Sequence, residues 1–174
     1  ISNIGAINEL QINIAFINSL KNNPMFKLDY HGEGNINNDL ISYLKANGIS
    51  NVLVTGRYIK EDEEKLYESS DLINVLRTSD GINNKTALPN RLYNAILYGK
   101  PLLSFEGTYM AQEIKKNNIG LVLSSMNDTG NKITKYLDEL DIELYKKGRF
   151  SYLQSVIEEN NYFNNKLRGF IFSS

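Results

Sequence analysis

The side chains best placed for chemistry are Arg91 and Asn94, one helical turn apart in the stretch GINNKTALPNRLYNAILYGKP, residues 81–101. Pro89 suits the first turn of a helix, where its missing N–H costs nothing. The backbone amides of residues 90–92 then point outward as an anion site, and the Arg91 guanidinium adds a fork of donors that fits phosphate. Asn94 lies near the same face and can bond a sugar hydroxyl. The alternative for Arg91 is a surface residue paired with a nearby acid.

The segment HGEGN, residues 31–35, is a second candidate, because it follows a predicted strand. Gly32 and Gly34 allow the backbone to pass close to a bulky or negative group, although a simple tight turn explains them equally. His31 is the only histidine in the chain. No partner for catalysis can be argued for it from the sequence, and a metal site lacks a second histidine or a cysteine.

The third candidate is Gly56-Arg57-Tyr58, at the end of the predicted strand NVLVTG. A glycine followed by amphipathic side chains can form the floor for a planar base or a sugar, and the alternative is a solvated loop. The acidic run from Glu61 to Glu64 is expected in the first turn of a helix, where carboxylates complement the helix dipole. It is not interpreted as a metal site.

The composition restricts the class of protein. The chain has 174 residues, is 41% hydrophobic and 22% charged, and carries a net charge of −1, so no electrostatic footprint for nucleic acid is present. It has no cysteine, which excludes disulfides, thiolate metal sites and a cysteine nucleophile and fits a reducing compartment. No apolar run approaches the roughly 20 residues of a membrane span. Because the chain opens at Ile1, we expect it to be part of a longer protein.

The elements that must position these side chains follow a βα rhythm. Six apolar, strand-like runs alternate with segments of helical periodicity, as expected for a parallel sheet covered by helices on both faces. In the first helix, for example, Leu10, Ile14, Ile17 and Leu20 share one face. The sequence therefore predicts a Rossmann-like, three-layer α/β/α domain with a parallel six-stranded sheet over residues 1–125. Residues 126–174 are predicted to form C-terminal helices that pack on this core or cross toward another domain. The predicted strands are residues 3–7, 26–32, 51–56, 71–77, 101–105 and 119–124.

The order of these pieces resembles the C-terminal, donor-binding half of GT-B glycosyltransferases, nearest to the group 1, family-4-like enzymes. The resemblance covers roughly residues 4–123 and rests on several weak motifs that occur together, in order and with normal spacing. They are IGAI (4–7), YHGEG (30–34), NVLVTGRY…EEKLYESSDL (51–72) and ALPNRLYNAILYGKPLL…IKKNNIGLVL (87–123).

The resemblance implies that a nucleoside-diphosphate sugar, UDP- or GDP-linked, is the donor substrate, with no metal and no further cofactor. Arg91 would stabilise the leaving diphosphate, the base would lie over Gly56-Arg57-Tyr58, and Asn94 would contact the ribose. The diphosphate would meet the amides before the helix, from Thr86 to Asn90. The implied substrate-binding residues are Gly5, Gly32, Gly34, Gly56, Arg57, Tyr58, Thr86, Ala87, Leu88, Asn90 and Asn94.

The resemblance also implies partners and a location. The donor would bind between this half and an N-terminal Rossmann-like domain of the same protein, which would bring an acceptor glycan or lipid-linked sugar. The reaction would be retaining hexosyl transfer in the synthesis of a cell-surface polysaccharide or glycan. The protein would be cytoplasmic, or peripheral at the inner face of the membrane through the other domain, and this half alone is expected to be inactive.

The sequence departs from the family where relatives carry charge. Both glutamates of the E-x7-E motif are replaced, by Thr86 and Asn94, and Ala6 stands where the first loop commonly offers a basic residue. A non-catalytic, degenerate domain that serves assembly is therefore an alternative. An unrelated α/β nucleotide-binding module is another, but a receiver would need an acidic cluster and a dinucleotide domain would need G-x-G-x-x-G after the first strand.

Overall fold

The sheet is parallel and six-stranded, with the order β3-β2-β1-β4-β5-β6, in a computed structural model that describes residues 1–172. This order reverses direction between β1 and β4, which is the arrangement of a doubly wound, Rossmann-like sheet. The predicted fold class is confirmed. The strands are β1 (Ser2–Ile4), β2 (Leu28–His31), β3 (Val52–Gly56), β4 (Ile73–Asn74), β5 (Leu102–Phe105) and β6 (Gly120–Leu123).

Eight α-helices and one 3-10 turn connect the strands or follow them within the described residues. The 3-10 turn, Lys60–Asp62, leads directly into α3. Two helices follow the last strand, and the second of them continues to the end of the described chain. The helices are α1 (Leu10–Leu20), α2 (Asn37–Ala46), α3 (Glu63–Glu68), α4 (Gly81–Thr86), α5 (Asn90–Leu97), α6 (Tyr109–Asn117), α7 (Thr129–Asp138) and α8 (Ile142–Phe172).

Two hydrophobic clusters, one on each face of the sheet, make the fold three-layered. Helices α1, α2 and α7 cover one face through side chains such as Phe16, Leu40 and Ile133, which are fully buried. Helices α3, α5, α6 and α8 cover the other face, where Tyr67 and Ile96 are fully buried. The last two helices thus pack on both sides of the core.

The burial of each strand follows its place in the sheet. All three residues of β1 are buried, because this strand lies in the middle with helices on both faces. In β3, at the edge, partly buried and exposed residues alternate, and Leu53 is 48% exposed.

Three local elements differ from the sequence-based expectation. The buried face of α1 comprises Ile12, Phe16, Ile17 and Leu20, so the face is rotated from the one predicted through Leu10 and Ile14, which are only partly buried. Strand β4 is two residues long rather than seven. The segment between the predicted strand 71–77 and Pro89, for which no helix is predicted, contains α4. This helix has no apolar periodicity, and its one large apolar side chain, Ile82, is 81% exposed.

Two glycines bring the loops at the carboxyl ends of β1 and β2 into backbone contact. A Cβ on Gly32 would overlap the carbonyl oxygen of Gly5, and a Cβ on Gly34 would overlap that of Ile7. The amide of Gly5 donates to the carbonyl of His31 at 2.8 Å, which extends the ladder past β1. These glycines of HGEGN therefore allow the backbones of the two loops to approach each other closely.

Among the described residues, the structure has no helix that combines the length and the hydropathy of a membrane span. It also has no group of three or more histidine or acidic side chains placed to hold a metal ion within residues 1–172.

Candidate functional site

An open cavity of about 770 Å³ lies at the carboxyl ends of β1 and β4, where the strand order reverses. Ligands of open α/β sheets bind at this place, because the loops that leave adjacent strands part there toward opposite faces. The start of α5 forms one wall, and the segment after β3 forms another. The lining residues are Ile4, Gly5, Ala6, Asn8, Arg57, Tyr58, Ile59, Lys60, Glu61, Glu63, Tyr67, Arg77, Pro89, Asn90, Arg91 and Asn94.

Arg91 points from α5 into the gap between β1 and β4. Its guanidinium donates three hydrogen bonds to backbone carbonyl oxygens: Nε to Ile4 at 2.5 Å, Nη2 to Ala6 at 2.7 Å and Nη1 to Asn74 at 3.0 Å. These carbonyls lie at and just beyond the ends of the two strands, where no further strand pairing satisfies them. The sequence left open that Arg91 pairs with a nearby acid on the surface. In the structure its hydrogen bonds go to backbone carbonyls instead.

The charge of Arg91 nevertheless faces the cavity. A guanidinium has five N–H donors, so two remain after the three bonds to carbonyls. Burial lowers the pKa of Arg91 to about 10, and the neighbouring Arg77 acts in the same direction. Arg91 is therefore still cationic near neutral pH, and with Arg77 it makes this end of the cavity attractive to an anion.

Asn94 is engaged by a carboxylate that the sequence analysis did not select. Its Nδ2 donates to Oε1 of Glu63 at 2.6 Å, while Oε2 of Glu63 forms an ion pair with Lys60. The Glu63 side chain is only 8% exposed, whereas that of Lys60 is 80% exposed at the rim. The hydrogen bond that Lys60 donates to Glu63 raises the pKa of Lys60. The floor of the cavity thus contains a buried carboxylate held by an amide.

Two tyrosines complete this side of the cavity. Tyr67 is fully buried, and its hydroxyl lies beside the Asn94 side chain. Burial raises the pKa of Tyr67, while Arg91 and Asn94 act in the opposite direction. Tyr58 is half-buried above them, and burial together with Glu63 raises its pKa. Both phenols are therefore neutral at physiological pH and can act as donors and acceptors.

The start of α5 differs from the expectation in one respect. Pro89 is the residue before the helix, with extended backbone, rather than its first helical residue. The amide of Leu92 donates to the Pro89 carbonyl at 2.9 Å, so the expectation that it is free was wrong. The tight first turn uses this amide internally. Asn90 and Arg91 remain as the residues whose amides lie at the helix start beside the cavity.

The structure brings together about half of the predicted site residues. Gly5, Arg57, Tyr58, Asn90, Arg91 and Asn94 line the cavity. Gly34 and Gly56 line a separate surface depression between β2 and β3, and Gly32 is buried in backbone contact. Thr86 is exposed at the end of α4, where its hydroxyl donates to the Ile82 carbonyl at 2.8 Å. Thr86, Ala87 and Leu88 are not among the residues that line the cavity, so their contact with a diphosphate stays a prediction.

A smaller polar cavity of about 190 Å³ adjoins the first one behind Arg91, lined by several asparagines. Glu9 closes one side of it, because its Oε2 accepts hydrogen bonds from the amide and the hydroxyl of Thr78 at 2.9 and 3.0 Å. This contact links the loop after β1 to the loop after β4. The remaining candidate, His31, lies apart from both cavities, with Nδ1 3.0 Å from the Thr55 hydroxyl.

Three residues of the site were missed by the sequence analysis: Glu63, Tyr67 and Arg77. A signal existed for the first, since Glu63 lies three and four residues before Leu66 and Tyr67, the two side chains of that helix that pack into the core. A carboxylate on the buried face of a short helix needs a partner, and that requirement could have singled it out. For Arg77 the sequence carried no such pattern.

Comparisons with known proteins identify the fold. Neither a model of a protein family nor a curated protein matches the sequence. Among solved structures, Anabaena HepE in complex with UDP-glucose has a TM-score of 0.71 at 14% identity, covering 95% of this chain and 48% of HepE. A mutant of S. aureus TarM in complex with fondaparinux, α-GlcNAc-glycerol and UDP has a TM-score of 0.63 at 17% identity. That likeness covers 90% of this chain and 31% of TarM.

A third structure is a domain by itself. It is the C-terminal domain of LpcC, a group 1 family glycosyl transferase from Francisella tularensis, with a TM-score of 0.57 and 16% identity over 85% of this chain and 78% of that domain. The chain therefore has the fold of the C-terminal half of GT-B glycosyltransferases, as the resemblance implied. It spans about a third of TarM and half of HepE.

Proposed function

We propose that this chain is the donor-binding half of a glycosyltransferase and that it binds a nucleoside-diphosphate sugar, linked to UDP or GDP, in the cavity between β1 and β4. The observation that carries the proposal is the convergence of cationic and hydroxyl-binding groups at the switch point of the sheet. Arg91 and Arg77 face the same space as Asn94 and the start of α5. Solved structures with the same fold contain UDP or UDP-glucose.

The geometry suggests how such a donor would lie. The diphosphate fits at the start of α5, because the amides of Asn90 and Arg91 and the positive end of the helix dipole meet there beside two guanidinium groups. Asn94 lies one turn further along α5, about 6 Å in rise, which suits a ribose hydroxyl next to the diphosphate. Tyr58 and Arg57 lie opposite, where a planar base can pack on them. A cavity of about 770 Å³ is within the range of small-molecule sites.

The chemistry proposed for the whole protein is hexosyl transfer with retention and without a metal ion. The bond between the sugar C1 and the diphosphate oxygen breaks, and its electron pair leaves with the diphosphate. C1 bonds to the oxygen of an acceptor hydroxyl, whose proton passes to the departing diphosphate. The contribution of this half is electrostatic, because preformed cationic groups stabilise the charge that develops on the leaving diphosphate. The acceptor, a glycan or lipid-linked sugar, would come with an N-terminal domain in cell-surface polysaccharide synthesis.

Titration calorimetry with UDP, GDP and their glucose and mannose conjugates tests the proposal. We expect saturable binding of one nucleotide series, weakened about tenfold or more in Arg77→Gln, because a charge-assisted bond to phosphate is lost. Arg168→Gln is the matched control, since Arg168 is exposed on α8 far along the chain from the cavity residues. Absence of binding for every nucleotide, with the chain folded and at millimolar ligand, would refute the proposal.

One observation favours a second candidate, a degenerate domain kept for assembly. Three of the five N–H donors of Arg91 are bound to backbone carbonyls and are not free for a diphosphate. Thr86 and Asn94 stand where the resemblance implies glutamates, so neither position supplies a carboxylate. Under this alternative the cavity binds no nucleotide although the chain is folded. The same calorimetry therefore separates the two candidates, and an assay of sugar transfer with the longer protein separates binding from catalysis.

A further inference from the structure

The burial of the Glu63 carboxylate lowers the stability of the fold unless the carboxylate is well hydrogen-bonded, and the packing of the fold alone does not account for it. Its side chain is 8% exposed, and it belongs to the first turn of a helix only six residues long. Taking a carboxylate out of water is costly unless its oxygens are well hydrogen-bonded. The neighbouring acids Glu61 and Glu64 of the same run are exposed, so helix formation does not require burial at this position.

The partners of Glu63 leave part of its capacity unused. A carboxylate has about four acceptor positions, of which Asn94 and Lys60 fill one on each oxygen. Two positions remain, one on each oxygen, and Glu63 lines the cavity. Two acceptors that are fixed side by side match two hydroxyl groups on adjacent carbons.

The groups around the carboxylate have the complementary properties. Asn94 gives its N–H to Glu63, which leaves its carbonyl oxygen as a further acceptor and fixes which way the amide points. Tyr67, fully buried and lining the same cavity, is a further hydrogen-bonding neighbour of Asn94. The Asn94 amide is therefore held between Glu63 and Tyr67.

From this arrangement we infer that Glu63, oriented by Asn94, binds a vicinal diol of the donor. The inference rests on the proposed function and adds the residue that replaces the two missing acids: the carboxylate comes from the start of α3 rather than from α5. Asn94 then acts mainly as a positioning residue. Ribose and hexose both present adjacent hydroxyls, so the experiment must distinguish the two sources.

Calorimetry with matched deoxy ligands tests the inference on the folded chain. The ribose is probed with UDP against 2′-deoxy-UDP, or the guanine pair if that base binds, and the hexose with UDP-glucose against UDP-2-deoxyglucose. We expect one pair to differ about 10- to 100-fold in the wild type, because removal of a hydroxyl leaves the buried carboxylate unpaired. In Glu63→Gln the difference in that pair should shrink to about threefold or less, while Glu64→Gln, which changes an exposed neighbour, should keep it.

The outcomes separate the two levels of the argument. If the wild type binds a nucleotide and Glu63→Gln discriminates as the wild type does, the diol inference is wrong and the proposed function stands. If no nucleotide binds, both fail. Should Glu63→Gln not fold, the wild type still decides through NMR of the Glu63 carboxyl carbon. Its resonance should shift more with the hydroxylated ligand than with the deoxy ligand of the discriminating pair, and equal shifts would overturn the inference.

Discussion

Arg91 offers the sharpest test of the structure, because one side chain holds the ends of two strands together. We consider Arg91→Met, which keeps most of the aliphatic stem but removes the guanidinium and its hydrogen bonds to the carbonyls of Ile4, Ala6 and Asn74. A hydrogen bond from a charged group contributes about 1.5–3 kcal/mol. The three carbonyls border a cavity and can regain water, so about 1 kcal/mol for each bond is a better figure, giving a loss of ~3 kcal/mol in total.

The assay is equilibrium urea unfolding followed by circular dichroism, with thermal melting as a second measurement. For a chain of this size, a loss of about 3 kcal/mol in the free energy of unfolding corresponds to a fall in Tm of about 6–12 °C. Arg91→Lys keeps the charge but not the planar fork, so it should recover about one bond and lose ~2 kcal/mol. The order wild type, Lys, Met is as informative as the magnitudes.

Arg77→Gln is the control that makes this test specific. Arg77 lines the same cavity but makes no side-chain hydrogen bond within the described residues. Its positive charge repels that of Arg91. Its replacement should change the free energy of unfolding by no more than about 0.5 kcal/mol, as for ordinary surface substitutions. The reasoning would be refuted if Arg91→Met cost less than about 1 kcal/mol, or if Arg77→Gln cost as much as Arg91→Met.

Three further predictions concern the rest of the fold. Burial lowers the pKa of His31, so the imidazole of the unfolded chain is protonated at a higher pH than that of the folded chain. The free energy of unfolding should therefore fall as the pH drops from about 6.5 through the lower pKa of the folded state. NMR titration of the single histidine measures this pKa, and in His31→Asn the free energy of unfolding should depend less on pH over the same range. Gly148→Ala should destabilise by about 2–3 kcal/mol because its Cβ would overlap the Asn117 carbonyl, whereas Gly169→Ala in open space on the same helix should stabilise by up to ~1 kcal/mol, and similar urea midpoints would contradict the packing. Thr108→Ala should cost about 1 kcal/mol of stability, since the Thr108 hydroxyl caps α6 by accepting from Ala111 at 3.1 Å, and Thr108→Ser should keep most of it.

The fold could be predicted from the sequence because its information is local. Apolar, strand-like runs alternate with helix-period segments of the right length, so a parallel, doubly wound sheet follows from pattern alone. The prediction of secondary structure was wrong for elements that have no periodic pattern of apolar residues. Helix α4 has no apolar stripe, and its only large apolar residue, Ile82, is exposed. Strand β4 is two residues long, although Val75 still donates to the Leu103 carbonyl at 2.9 Å, and Arg77 at the end of the apolar run lines the cavity.

The site was predicted only in part because its contacts are non-local. Arg91 could be recognised as a cation at a helix start, but its partners lie 17 to 87 residues away in sequence and are carbonyls, which every residue has. Glu63 and Asn94 are separated by 31 residues, and only the packing of α3 against the sheet brings them together. Residue type therefore indicates what chemistry is available, and topology decides which groups share a cavity.

The narrow junction between β1 and β4 has a consequence for how the molecule holds together. The two strands share a single register pair, Ser2 with Ile73, so the sheet divides into two three-stranded blocks joined by few ladder bonds. Outside the ladder, the Ser70 hydroxyl reaches Ser2 at 2.6 Å, and Arg91 bridges the far end. A ligand in the cavity would touch both blocks. A bound ligand would therefore couple the local unfolding of the two blocks. Amide hydrogens in β2 and β5 would then exchange with solvent together rather than independently.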